Sequence, residues 1–136
     1  MREITKEKMM LRSIGAICAG LIFIFVTHTG TDALLESIGV LPPPGQPLFD
    51  TGLLLLASIY RGIFSIIGCY IAARLAPHHP MRHALILGGI GVLLSTAGAM
   101  ATWDFGPAWY PLSLIVLSMP YAWLGGYIFQ RGKNRG

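Results

Sequence analysis

Charge is what this sequence has least of. Only 12% of its 136 residues are Asp, Glu, Lys or Arg, 54% are hydrophobic, and the mean hydropathy is +0.62. A chain of this length makes one domain, and one water-soluble core of that size could not hide so much apolar surface. Cysteine is scarce as well, with Cys18 and Cys69 far apart in apolar surroundings. There is no C-x-x-C pair for thiol exchange, so both are expected to be small buried packing residues. Enzyme signatures are missing too: no nucleophile with a matching base, no metal box and no phosphate-binding loop. A non-enzymatic chain without a cofactor is the expectation.

What is present is a set of four long apolar runs, at about 9–30, 51–75, 84–102 and 109–130. Each is near the ~20 residues that a helix needs to cross ~30 Å of hydrocarbon. The pattern predicts an all-α integral membrane four-helix bundle, a single domain over 1–136, with a proline-rich outer segment at 31–50. The basic start and the apolar centre from Ile14 to Val26 also match the opening of a cleavable signal peptide. However, Thr27 to Asp32 offers no convincing small-x-small cleavage site, and a retained first helix is expected.

The basic residues orient the bundle. Arg2, Lys6, Lys8 and Arg12 precede the first run, Arg74 and Arg82 flank the turn between the second and third, and Arg131, Lys133 and Arg135 follow the fourth. The other two connections contain no Lys or Arg and carry Asp32, Glu36, Asp50 and Asp104. By the positive-inside rule both termini and the turn with His78, His79 and His83 are cytoplasmic. The net charge of +4 and pI near 9.4 therefore read as a topology signal. Nucleic acid is not an expected partner, because the basic residues do not interleave with exposed aromatics. Trp103, Trp109 and Tyr110 are expected to anchor the opposite interface, and the three histidines to lie near headgroups rather than bind metal.

Small residues set the expected packing. In the third run Ala84, Gly88, Gly91, Ser95, Gly98 and Thr102 recur at alternating spacings of four and three, which places them on one helix stripe. Ala16 and Gly20 in the first run, and Ser65, Gly68 and Ala72 in the second, follow the same style, which lets membrane helices approach closely. The stripes are expected to pack within the bundle, or against a second copy.

Arg61 is the exceptional charge. It lies ten residues into the second run, roughly 15 Å from its outer end by helical rise, where a cation costs ~2.5 to 3.5 kcal/mol on insertion scales. It shares its stripe with Ala57, Ser65, Gly68 and Ala72, so it is expected to face the bundle. Ser95, Thr96, Ser118 and Tyr121 reach a similar depth and form an expected central polar layer. Pro120 adds to that layer by leaving the Val116 carbonyl without its usual amide partner. At the outer mouth lie His28, Asp32, Glu36 and Asp50. Arg61 is expected first to be a structural cation reaching toward Asp32, Glu36, Asp50 or backbone oxygens. It could otherwise hold an anion or lipid headgroup, or pair with another subunit's acid. His28, Asp32 and Glu36 are spaced four apart and would share one face if the first helix continued past Gly30. A helix break at Gly30 and a solvated boundary are expected instead. Pro42, Pro43, Pro44 and Pro47 impose an extended, stiff path that reads as a lid or docking strip.

The chain departs from three families of small four-helix membrane proteins. It lacks the embedded glutamate of small multidrug transporters, the weak charge bias of fluoride channels and the deep histidines of b-type cytochromes. The segments LPPPGQPLFD, Tyr60-Arg61, RLAPHHPMRHALILGGIG and WYPLSLIVLSMPYAWLGG resemble small four-helix bacterial inner-membrane proteins. The resemblance implies a bacterial integral membrane protein of the inner (plasma) membrane and carries no activity. Two functions are expected. One is an accessory or scaffold subunit packed in the lipid bilayer against a larger membrane protein or its own copies. The other is a small oligomeric transporter or channel that uses Arg61 to pass an anion or polar solute.

Overall fold

The computed structural model describes residues 2–43 and 46–135. It is all-α, with α1 (Arg2–Ser37), α2 (Thr51–Leu75), α3 (Pro80–Ala101) and α4 (Trp109–Arg135), and a short 3-10 turn at Trp103–Phe105. All four helices are long and apolar enough to cross a membrane.

The helix ends follow local chemistry. α2 coincides with the expected 51–75: the Asp50 carboxylate accepts the Leu53 amide at 3.0 Å and caps its start. At the far end Ala76 is extended, as the residue before Pro77 must be. α3 starts earlier than expected because Pro80 fits the first turn, where no amide bond is lost. The residue before it, His79, takes a left-handed conformation at φ 44°. α4 runs past Gln130 through the basic tail to Arg135.

The largest departure is α1, which passes straight through Gly30 and ends at Ser37. A glycine inside a helix costs only ~1 kcal/mol, and the residues beyond it, Ala33, Leu34 and Leu35, are strong helix formers. The stop signal is Gly39. At φ 82° it donates its amide to the Glu36 carbonyl at 3.2 Å, and the Val40 amide reaches the Leu35 carbonyl at 2.9 Å. Those two bonds satisfy orphan carbonyls of the last turn in the Schellman pattern.

The antiparallel helices give the bundle an acidic end, with Asp32, Glu36, Asp50 and Asp104, and a basic end at the Arg74–Arg82 turn. α2 contacts the other three helices, while α3 packs most extensively against α4 rather than against its sequence neighbour α2. The segment after α1 folds over the acidic end. Leu41 is buried there, and the Leu48 amide bonds the Phe105 carbonyl at 2.6 Å. Gly106 permits that approach, since a Cβ on it would lie 2.8 Å from the Leu48 carbonyl oxygen. Pro44 lies outside the described residues.

The basic half is packed through small residues. A Cβ on Gly20 would meet the Gly68 carbonyl at 2.5 Å, and one on Gly125 would meet the Ile66 carbonyl at 2.6 Å and the Tyr70 amide at 2.8 Å. Helix backbones thus touch with no side chain between them, and Cys69, Ala72, Ala73, Ala84, Leu87 and Ala122 form the buried cluster around these crossings. The outside of the bundle is apolar. Leu93, Met100 and Val116 are 72%, 79% and 69% exposed, a surface suited to contact with hydrocarbon. Cys18 belongs to that outer surface, contrary to its expected burial, whereas Cys69 is buried.

Candidate functional site: a polar cluster in an apolar cavity

Because α1 continues past Gly30, Asp32 stays on the helix and faces α2. Side chains on a helix tilt toward its N-terminus, so Arg61 on α2 leans toward the acidic end, where Asp32 meets it. Arg61 Nη2 donates to Asp32 Oδ2 in an ion pair, and the Tyr60 hydroxyl donates to Asp32 Oδ1. One carboxylate therefore has both oxygens engaged. His28, one turn along α1, donates from Nε2 to the Arg61 carbonyl at 3.1 Å, since a carbonyl oxygen can only accept. Behind the cluster the Phe64 ring sits among Phe23, His28 and Tyr60 at centroid distances of 6.3, 6.3 and 6.4 Å.

His28, Asp32 and Arg61 border a cavity of about 730 Å3 that runs from the acidic end down to Cys69 and Leu87. α1 and α3 form opposite walls, α2 and α4 the back. α1 and α3 meet at the bottom, where a Cβ on Gly20 would lie 2.7 Å from Leu87 Cδ2. Above that crossing they diverge, and the space between them is the cavity. Phe25 and Leu94 border it while being 67% and 56% exposed. The α1–α3 seam is therefore its lateral rim. A smaller space of about 180 Å3, roofed by Leu41, Pro42 and Pro43, reaches the same Arg61, Asp32 and Glu36 from the acidic end.

Electrostatically the site is half neutralised. Arg61 and Asp32 keep 27% and 26% of their side chains accessible, so the pair is shielded but not sealed. Arg61 Nε is buried and has no hydrogen-bond partner among the described residues. Glu36, one turn beyond Asp32, borders both spaces and takes part in no ion pair among the described residues.

Several expected site residues converge here. Arg61, Ser95, Ser118, His28, Asp32 and Glu36 all border the one cavity, so the central layer and the outer mouth are a single site. Thr96 is corrected: it is exposed and bonds the Val92 carbonyl of its own helix at 2.7 Å, because it is one residue off the stripe that carries Ser95. Tyr121 packs instead over Gly62, its hydroxyl 2.8 Å from where a Cβ would stand, and does not border the cavity. Asp50 is an exposed helix cap. The Val116 side chain turns outward, and no hydrogen bond among the described residues joins its carbonyl to Arg61. The small-residue stripe of α3 divides in two. Ala84 packs against α4, Gly88 packs against α4 and also borders the foot of the cavity, and Gly91, Ser95, Gly98 and Thr102 border it further up.

Tyr60 and Tyr110 were missed by sequence reasoning. Tyr110 stands beside Trp109 but turns inward and borders both spaces. Tyr60 had a legible signal, a phenol adjacent to the buried cation and far from either interface. No group of three or more His, Cys, Asp or Glu among the described residues is arranged to hold a metal, although the His78 ring lies 5.1 and 5.6 Å from those of His79 and His83. No family model, curated protein or solved structure matches the chain.

Proposed function

We propose that this chain is a non-enzymatic integral membrane protein of a bacterial inner membrane, with both termini cytoplasmic, that binds a small polar or amphiphilic molecule at Arg61 in a carrier-type role. The carrying observation is the cavity itself: about 730 Å3 of space that places an arginine, two acids and a histidine inside walls made mostly of apolar and small uncharged residues. Cavities of ~300 to 1,000 Å3 with few polar groups are the usual form of small-molecule sites. An ionisable residue at membrane depth marks a binding or transport path by default. Topology rests on the Lys and Arg asymmetry between the two ends.

An accessory subunit needs no such interior, since its contacts would be made by outer faces. The two readings separate on purification. Gently solubilised protein should carry a small molecule that native mass spectrometry detects, and Arg61→Gln should lose it while circular dichroism still reports four helices. A stoichiometric protein partner, with no bound small molecule, would replace this reading by the accessory one.

A further inference from the structure

Given that the cavity is a ligand site, its charge pattern narrows the ligand. We infer that the molecule is a zwitterionic membrane lipid whose headgroup carries a phosphodiester and a primary ammonium, held with its phosphate at Arg61, its ammonium at Glu36 and one acyl chain between α1 and α3.

Three observations converge on that class. The first is the sum of charge. Arg61 supplies one positive charge, Asp32 and Glu36 two negative, so the lining is net negative with His28 taken as neutral. A purely anionic molecule would meet repulsion from Asp32 and Glu36, and a purely cationic one would make no use of the part of Arg61 left accessible by its pair with Asp32. The second is unspent bonding capacity on both sides. Arg61 directs Nη2 at Asp32 while 27% of its side chain stays accessible. A phosphate oxygen is the acceptor best matched to the guanidinium fork. Glu36, one turn toward the acidic end, borders both spaces and makes no ion pair among the described residues. A headgroup that joins a phosphate to an ammonium can serve both an arginine and an unpaired acid on one lining.

The third is the shape of the remaining space. From Glu36 to Leu21 the α1 wall spans about 22 Å by helical rise, and below the polar cluster the cavity is lined by Leu21, Ile24 and Phe25 of α1 and by Leu87 of α3. A free, water-soluble headgroup would leave that depth unused. The rim at Phe25 and Leu94 opens sideways, toward the acyl region of a surrounding bilayer, which is the route a lipid would take. Gly91 and Gly98 keep the α3 wall flat along this path, and nothing lies within 4 Å of a Cβ placed on Gly98.

The test uses the full-length detergent-purified chain. It is titrated with dioleoyl phosphatidylethanolamine or dioleoyl phosphatidylglycerol, which share acyl chains and phosphate and differ in the ammonium, and bound lipid is read by native mass spectrometry. Wild type should retain the ethanolamine lipid about tenfold more strongly, the ratio expected of one charge-assisted contact worth about 1.4 kcal/mol. Glu36→Gln should abolish that preference without a change in thermal stability, since Glu36 makes no ion pair among the described residues. Arg61→Lys, which keeps a charge for Asp32 but removes the guanidinium fork, should weaken both lipids together.

Equal retention of the two lipids, or a preference untouched by Glu36→Gln, overturns this inference and leaves the cavity reading standing. Displacement of bound lipid by glycerophosphoethanolamine at equal concentration assigns the site to a soluble zwitterion and overturns the lipid assignment. If wild type holds neither lipid nor any other small molecule, and Arg61→Lys changes nothing, the cavity reading fails as well.

Discussion

The two ends of this bundle are built from the same kind of residue and do opposite things. At the basic end, glycine and alanine bring backbones together: Gly20 against Gly68, Gly125 against the Ile66 carbonyl, Gly88 against Ala122. On the α3 wall at the acidic end, Gly98 faces nothing and Gly91 has only Ser118 near it, 3.7 Å from where a Cβ would stand, so small side chains on that wall open space. A small residue has no intrinsic role as glue or gap. What decides is whether a second helix lies opposite, and that depends on the splay of α1 from α3 above the Gly20–Leu87 crossing.

One substitution made at both ends gives the sharpest contrast. Gly125→Val puts a branched side chain where a Cβ already collides with two backbone atoms of α2. Overpacking of this kind costs about 1 to 3 kcal/mol or more, and a marked drop in melting temperature or loss of the monodisperse peak in detergent is expected. Gly98→Val meets no neighbour and should stay within about 0.5 kcal/mol of wild type, while filling part of the cavity and weakening ligand retention. Equal destabilisation by the two changes would erase the distinction between a packed end and an open one.

The next effect lies in the polar cluster. Asp32→Ala strips Arg61 of its ion partner and Tyr60 of its acceptor. Removing one member of a fully buried pair costs about 3 to 5 kcal/mol. The loss here should be smaller, about 1 to 3 kcal/mol, because each side chain keeps about a quarter of its area accessible. In a double-mutant cycle with Arg61→Met, the double variant should recover much of the loss, since no uncompensated charge then remains. Additive losses in the cycle would show that the pair is not coupled.

The smallest expected change is at the rim of the acidic end. Asp50→Ala removes the side-chain cap on the Leu53 amide and should cost about 1 kcal/mol. Ligand retention should be unaffected, as Asp50 borders neither cavity. If retention fell with it, the acidic end would be one continuous binding surface, and the cavity would lose its separate standing.

Sequence alone determined the number of helices, the span of α2 to the residue, and the segregation of basic from acidic connections. These are local or compositional matters: a run of apolar side chains, a carboxylate before a helix, a proline after one. It also marked Arg61 as a cation turned inward, through its stripe with Ala57, Gly68 and Ala72, residues that are buried in the fold. The end of α1 was readable in principle from Gly39 followed by Pro42, but Gly30 stands first in the chain and took the role. That error left Asp32 as only one of several expected partners of Arg61, the one with which the ion pair forms, and split one cavity into two regions. Only the tertiary structure decided that Asp32, Tyr60 and Arg61 meet, that Thr96 and Tyr121 turn elsewhere, and that α1 and α3 diverge. Periodicity gives the face on which a residue lies but not the helix opposite it. Whether a stripe closes on a neighbour or borders an opening is set by the crossing of two helices far apart in the chain.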